Sequence, residues 1–491
     1  MSSGSSHPGA GAALEATPPP TVGLRRLAGD SALYGIAAAA AKALALLSVP
    51  YLSRALTPEG YGIADLATGL AALLTLVASF AGDVPTARDR GRTTDSSVRD
   101  RLMSSYVWTT AAVSVAAAGL LLPMAPLITG ALWRAPDQLL LAALTLILVP
   151  LSATQAALAS IQRLEARARS FAVLAMIDLL AQLGLAVLLV ALGFGAVGVV
   201  AGFCIGSAIG LLAAFAAGRR QMSYLPSARI GVRLVAAGLP FLPAIILFVL
   251  ADYASRYVLV ASIGADAVGA FGVALRVASV ITLVATAFAT AWGPLALGMR
   301  PGTGTARLFA RVLWAYSGAT CAVALVVAAI APELVRIVAG SAFAGAAVIV
   351  PGMVVASALA GGQYALLVAA GVADRDRSVT LSSFAGAGAQ VLLTVILVPS
   401  IGLGGAGIGA MAGRMVALAA LAPAVRVGFA LSWHWLAATW IVTCGAAVVI
   451  QALNHAGSDT LAWRLVIAVG AVGGLGIAVS RQQWRDRRRR A

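Results

Sequence analysis

The sequence predicts an all-α polytopic membrane protein with about fourteen transmembrane helices, arranged as two parallel six-helix lobes followed by two further helices. Of its 491 residues, 60% are hydrophobic and only 11% are charged, whereas a soluble domain carries about 25% charged residues. The mean hydropathy of +0.95 agrees. Because a soluble core cannot absorb this much apolar sequence, a soluble globular fold is excluded.

Apolar runs of the length needed to cross a bilayer, about 20 residues, recur along the whole chain. We identify fourteen of them, at 33–56, 62–84, 106–130, 138–160, 171–192, 196–217, 235–260, 268–292, 312–331, 347–370, 379–399, 404–424, 435–453 and 461–480.

The distribution of arginine supports this count. With the N-terminus in the cytoplasm and the runs alternating, 26 of the 34 basic residues fall in cytoplasmic segments and four in outer ones. This positive-inside bias predicts two cytoplasmic termini in the plasma membrane. It also accounts for most of the net charge of +16, so no nucleic-acid partner is expected.

These observations divide the chain into five parts. Residues 1–30, rich in Gly, Ser, Ala and Pro, are expected to form a disordered cytoplasmic tail. We place the first lobe at 31–217, the second at 218–427, two additional helices at 428–480 and a basic cytoplasmic tail at 481–491.

Three short segments repeat at nearly one offset, which predicts the two lobes. TPEGYG at 57–62 matches GADAVG at 264–269, ARARS at 166–170 matches DRDRS at 374–378, and GFGAVG at 193–198 matches GLGGAG at 402–407. The last pair fits the G-x-G-x-x-G pattern of dinucleotide sites, but each copy lies between two membrane runs. We interpret both as tight turns with close helix packing. Six helices in each repeat give both halves the same orientation, as in many secondary transporters.

Charged residues inside the apolar runs are the candidate functional residues, because burying a charge in the bilayer costs about 2.5–3.5 kcal/mol on insertion scales. Asp252 and Arg256 are four residues apart and either pair with each other or face a cavity. Arg276, Arg414 and Lys42 have no acidic residue at helical spacing. The four cations, with Asp178 and Asp252 as possible ion-coupling or charge partners, predict a net positive cavity suited to an anionic phosphate or pyrophosphate head group.

No enzyme motif accompanies these charges, so neither a catalytic residue nor a cofactor is predicted. Lys42, the only lysine, lacks the glycines of a P-loop, and the chain contains neither H-E-x-x-H nor G-x-S-x-G. Three cysteines and three histidines are scattered and lack metal-ligand spacing.

Several segments resemble a known family. The residues 31–35 (SALYG), Lys42 and 50–62 (PYLSRALTPEGYG) are similar to the opening of the polysaccharide-biosynthesis, Wzx-type flippases of the multidrug/oligosaccharidyl-lipid/polysaccharide exporter superfamily. The residues 238–243 (GLPFLP), followed by Asp252, Arg256 and Gly269, resemble the start of its second lobe, and 399–406 (PSIGLGGA) resembles its eleventh-to-twelfth helix turn.

The resemblance implies two six-helix lobes that alternate between inward- and outward-facing states. It implies transport of an undecaprenyl-linked, anionic saccharide to the outer leaflet, with glycosyltransferases and a polymerase of the same pathway as possible partners. Two alternatives stay open: an ion-coupled drug or small-solute antiporter of similar architecture, and a membrane glycan polymerase or ligase, which short outer loops disfavour.

Overall fold

A computed structural model describes residues 40, 43–93, 95–165, 167–297, 303–372, 376–426, 433–456 and 460–488. These residues form helices joined by short turns and contain no strand. The predicted N-terminal tail, Lys42 and the last three residues of the basic tail lie outside them.

The described residues of the first half form eight α-helices and a 3-10/π-helical turn that links α4 to α6. Their bounds are α1 Ala43–Ala55, α2 Pro58–Ala78, α3 Asp83–Arg92, α4 Ser96–Leu121, the short α5 Ala125–Leu127, α6 Leu139–Leu164, α7 Ala168–Ala191 and α8 Gly195–Met222. At the start of α2, the hydroxyl of Thr57 accepts a hydrogen bond from the Gly60 amide at 3.1 Å, and Pro58 occupies the first turn, where a proline lacks no needed donor.

The second half continues through a short linking helix. Its helices are α9 Ala228–Gly238, α10 Leu242–Ser262, α11 Ala265–Leu297, α12 Thr303–Ala329, the short α13 Ala331–Ala339, α14 Ala346–Val372, α15 Asp376–Ile401, α16 Gly404–Arg426, α17 Trp433–Ala456 and α18 Leu461–Arg488.

Every one of the fourteen predicted runs corresponds to a helix, and the all-α membrane fold is confirmed. Eleven helices in the described part are long and apolar enough to cross a bilayer, and α9 with α10 form a twelfth candidate that is bent by 69°. Among the described residues, the apolar stretches Ala43–Ala55 and Leu461–Gly474 are shorter, between 10 and 17 residues. The exact count of fourteen spans therefore stays a prediction.

Ion pairs join loops that the alternating topology places on one side. Arg90 contacts Glu165 at 3.3 Å and Arg233 contacts Asp89 at 2.8 Å, and all four lie in predicted cytoplasmic segments. At the opposite ends, a guanidinium nitrogen of Arg54 donates to the carbonyl oxygen of Ile337 at 3.1 Å. The relative sidedness is consistent with the prediction, whereas the orientation in the cell is still predicted.

Glycines make the internal repeat visible in three dimensions. The hairpin of α7 and α8 turns at Gly193 with a φ of 90°, and that of α15 and α16 turns at Gly402 with a φ of 68°; both backbones favour glycine. Beyond these turns, Gly206 packs against the backbone of Gln182, and Gly413 packs against Gln390. The G-x-G-x-x-G segments are thus turns between closely packed helices.

The two halves meet where α2 crosses α11. A Cβ atom at Gly62 would overlap the carbonyl group of Ala265, and one at Gly269 would overlap that of Pro58. The two glycines occupy matching places in the repeat, as do Pro58 and Ala265. The contact is therefore nearly two-fold symmetric, as a parallel repeat about an axis normal to the membrane requires.

Candidate functional site

A buried ion-pair cluster lies next to this crossing and joins the two halves. Nε of Arg256 on α10 donates to Oδ2 of Asp65 on α2 at 2.8 Å, and Nη1 of Arg276 on α11 lies 3.8 Å from Oδ1 of the same carboxylate. The side chains of Asp65 and Arg256 are each 9% exposed, and that of Arg276 is 29% exposed. One carboxylate thus faces two guanidinium groups.

Small residues allow these long side chains to approach. A Cβ atom at Gly272, one turn before Arg276, would lie 2.9 Å from the carboxylate carbon of Asp65. A Cβ atom at Gly69 would lie 3.4 Å from Nε of Arg256. Since α2 and α11 carry glycine at these positions, the charged groups meet without displacing either helix.

Aromatic side chains surround the guanidinium groups. The guanidinium carbon of Arg276 lies 4.8 Å from the ring centre of Tyr61, whose hydroxyl also contacts Nη1. The guanidinium carbon of Arg256 lies 5.1 Å from the ring centre of Phe271. Such cation–π contacts partly replace the hydration that a buried guanidinium loses.

A second polar group lies within the second half, around Asp252, which is one helical turn before Arg256 on α10. Oδ1 of Asp252 accepts a hydrogen bond from Nε2 of Gln390 on α15 at 2.7 Å. Nη1 of Arg414 on α16 donates to Oε1 of Gln363 on α14 at 3.2 Å. The guanidinium carbon of Arg414 lies 3.5 Å from the ring centre of Phe248 on α10.

Helix α10 connects the two groups through its backbone. Nη1 of Arg256 donates to the main-chain carbonyl of Asp252 at 3.2 Å. Three of the four cations predicted from the sequence, Arg256, Arg276 and Arg414, therefore lie on α10, α11 and α16, around two polar groups that share α10.

Of the two alternatives left open for Asp252 and Arg256, the structure does not show the side-chain pair. Their spacing permits contact, but the carboxylate of Asp252 turns toward α15 and the guanidinium of Arg256 turns toward α2, where Asp65 offers a charged partner. Arg276, which has no acidic residue at helical spacing, lies near the carboxylate of Asp65 on another helix.

Asp65 is the residue that the sequence analysis missed. It lies inside the second apolar run, so the criterion that selected Asp178 and Asp252 applied to it as well. Its partner Arg256 is 191 residues away in sequence, and spacing alone does not reveal such a contact.

The remaining candidates lie elsewhere. Asp178 on α7 accepts a hydrogen bond from Nε2 of Gln182 at 2.8 Å, and that amide also reaches the hydroxyl of Ser207 at 3.1 Å. This polar group belongs to the first half, and no ion pair joins Asp178 to an arginine among the residues described. Lys42 is not among them.

The fold is similar to that of several solved transporters. The structure titled lipid II flippase MurJ, inward closed conformation, matches with a TM-score of 0.66 and 13% identity over 92% of this chain and 99% of that one. An inward-facing multidrug resistance MATE family transporter of the MOP superfamily matches with a TM-score of 0.61 and 16% identity over 81% and 93%. A mutant of the Vibrio cholerae MATE transporter VcmN matches with a TM-score of 0.55 and 14% identity over 82% and 95%.

Comparison of the sequences identifies the family. No curated protein matches this chain. The family model described as polysaccharide biosynthesis protein matches residues 27–297, which is more than half of the 491 residues. The resemblance expected from the sequence is confirmed, and the chain belongs to the polysaccharide biosynthesis protein family.

Proposed function

We propose that the protein is a flippase that moves a lipid-linked, anionic oligosaccharide of the undecaprenyl type from the cytoplasmic to the outer leaflet of the plasma membrane. The saccharide would serve surface polysaccharide synthesis, and glycosyltransferases and a polymerase of that pathway are the proposed partners. Family membership and the fold that the chain shares with a lipid II flippase support this proposal.

The observation that carries the proposal is the excess of positive charge where the two halves meet. Arg256 and Arg276 share the single carboxylate of Asp65. Within the second half, Arg414 interacts with a neutral amide and an aromatic ring. A phosphate or pyrophosphate group would compete with Asp65 for the two guanidinium groups, because charge-assisted hydrogen bonds to phosphate are strong and directional.

In this mechanism, the lobes alternate between two arrangements around the head group while the lipid tail stays in the bilayer. Arg256, Arg276, Arg414 and Lys42 are the proposed contacts of the anionic head group. Asp252 and Asp178 are proposed to couple an ion or to balance charge. No covalent step is proposed.

The test is deletion of the gene followed by complementation. We expect deleted cells to accumulate the lipid-linked saccharide on the cytoplasmic leaflet and to lose a surface glycan, and the wild-type gene to restore both. Arg276→Gln should fail to restore them although the protein is present in the membrane. A normal surface glycan in the deleted strain would contradict the proposal.

An ion-coupled antiporter is the second candidate, because the fold is also that of MATE transporters and Asp252 lies beside a polar group that a cation or proton could share. It predicts altered drug sensitivity with an unchanged surface glycan in the same deleted strain. A glycan polymerase or ligase predicts instead that the lipid-linked precursor reaches the outer leaflet and stays unpolymerised there.

A further inference from the structure

A cluster of exposed arginines lies at the end of α8 and along α9, on the predicted cytoplasmic side. We call it the basic face. It consists of four arginines and two exposed apolar residues, namely Arg219, Arg220, Arg229, Arg233, Leu225 and Val232.

One side of α9 is fixed to α4 by close packing. The amide of Ser227, just before α9, donates to Oγ of Ser105 at 2.9 Å. One turn on, Gly231 packs against the side chain of Thr109 so closely that a Cβ atom would overlap it. Leu234 on the same side is fully buried. The side of α9 that carries Gly231 and Leu234 therefore faces α4, and the opposite side faces away from the protein.

Positive charge dominates the outer side. Arg229 and Arg233 are one helical turn apart and exposed, and no acidic residue lies between positions 218 and 239 in the sequence. Arg233 pairs with Asp89 at 2.8 Å, and Arg220 contacts Asp100 at 3.6 Å. Neither Arg219 nor Arg229 forms an ion pair within the part of the chain that the structure describes. These two cations are available to an anion from outside.

Apolar side chains accompany the charge. Leu225 is 81% exposed and Val232 is 71% exposed, although water disfavours such exposure. The axis of α9 meets that of α10 at 69°, so α9 is strongly inclined to the part of the twelfth candidate span that α10 forms. A helix with arginines and exposed aliphatic residues beside a membrane span is typical of one that lies in the interface between head groups and acyl chains.

We propose that the basic face binds the head groups of anionic phospholipids in the cytoplasmic leaflet, with Arg219 and Arg229 on the phosphates and Leu225 and Val232 among the acyl chains. Electrostatic attraction to an anionic leaflet and apolar insertion act together on such helices. The site is separate from the proposed substrate cluster and does not depend on what the protein transports.

Lipid binding to the purified full-length protein tests this proposal. Native mass spectrometry would compare binding of phosphatidylglycerol with that of phosphatidylcholine. We expect phosphatidylglycerol to bind more tightly, with a preference that decreases as salt is added. Since each basic residue near an anionic surface is worth about fivefold in affinity, Arg219→Gln with Arg229→Gln should weaken phosphatidylglycerol binding about 25-fold.

The matched control is Arg167→Gln with Arg169→Gln, which removes two exposed arginines at the start of α7, in another segment predicted to lie on the same side. This control should change the affinity for phosphatidylglycerol less than twofold. Val232→Ser should weaken the binding of both lipids. Equal affinity of the wild type for the two lipids would overturn the proposal, as would an equal loss in the control. If a crosslinker placed at position 219 captured an acidic protein, and the purified protein bound both lipids equally, the basic face would be assigned to a protein partner instead.

Discussion

Replacement of Asp65 provides the sharpest test of the cluster that joins the two halves. The variant Asp65→Ala removes the carboxylate that lies 2.8 Å from Nε of Arg256, in a site where both side chains are 9% exposed. Removing one partner of a buried ion pair costs about 3–5 kcal/mol, because the other charge is left uncompensated. Arg276, which is 29% exposed and 3.8 Å away, adds at most about 1 kcal/mol.

Restoring charge balance should recover most of this loss. In the double variant Asp65→Ala with Arg256→Met, the unpaired guanidinium is gone, and an apolar replacement of a buried pair is often neutral or stabilising. We expect its stability to return to within about 1 kcal/mol of the wild type. Thermal unfolding of the detergent-solubilised proteins ranks the stabilities of the wild type and the variants. It is followed by tryptophan fluorescence and by the fraction of protein that remains monodisperse.

Asp252 is the matched control, since it is one turn from Arg256 on the same helix. Its carboxylate accepts from Gln390 rather than from Arg256, so Asp252→Ala should cost less than Asp65→Ala, about 1–3 kcal/mol for the unsatisfied amide. Arg256→Met should not rescue it. Rescue of Asp252→Ala, with none for Asp65→Ala, would refute the assignment of the pair.

The packing and the helix ends give three further predictions. Gly62→Leu should destabilise the α2–α11 crossing, because a Cβ there overlaps a main-chain carbonyl, whereas Gly445→Ala, where a Cβ meets nothing within 4 Å, should be neutral or stabilising in the same unfolding assay. Glu333→Ala should destabilise the protein by about 3 kcal/mol, since it removes the carboxylate 2.8 Å from a guanidinium of Arg464 that is fully buried; an unchanged melting temperature would contradict this. The hydroxyl and the amide of Ser97 donate to Asp95, which caps α4, and lower the pKa of its carboxyl group. The stabilisation by this carboxylate is therefore present above its unfolded pKa and is lost as the pH falls through the lower folded pKa. Asp95→Asn should make the stability of the protein depend less on pH in the acid range.

The fold was accessible from the sequence because its strongest signals are local. A run of apolar residues long enough to cross a bilayer has few alternatives to a helix, and every predicted run corresponds to one. The repeat was also detectable, since its turns need glycine at fixed places such as Gly193 and Gly402. The number of spans was harder to confirm, because the apolar stretches Ala43–Ala55 and Leu461–Gly474 of the described residues cover only part of the predicted runs 33–56 and 461–480.

The site was only partly accessible, because its contacts are not local. A charge in an apolar run identifies Arg256 as a candidate, but helical spacing offers Asp252 as its partner, whereas the fold supplies Asp65 from another helix. Arg464 shows the same limit: it lies near the start of the last apolar run, with no acidic residue at helical spacing, and the structure buries it against Glu333 and Asn454. Only the tertiary arrangement decides which partner a buried charge has.

The rate of flipping in proteoliposomes shows whether the buried arginines serve transport. A lipid-linked oligosaccharide pyrophosphate is placed in one leaflet, and its arrival in the other is followed with a membrane-impermeant reagent. The matched probe is the same lipid-linked saccharide without phosphate. The variants are Arg276→Gln and Arg414→Gln.

We expect the wild-type protein to accelerate flipping of the pyrophosphate lipid and not to accelerate flipping of the uncharged lipid. Loss of one charge-assisted hydrogen bond, about 1.5–3 kcal/mol, should slow each variant about tenfold to a hundredfold. Equal rates for charged and uncharged lipids, or variants as fast as the wild type, would contradict the claim that these arginines bind an anionic head group during transport.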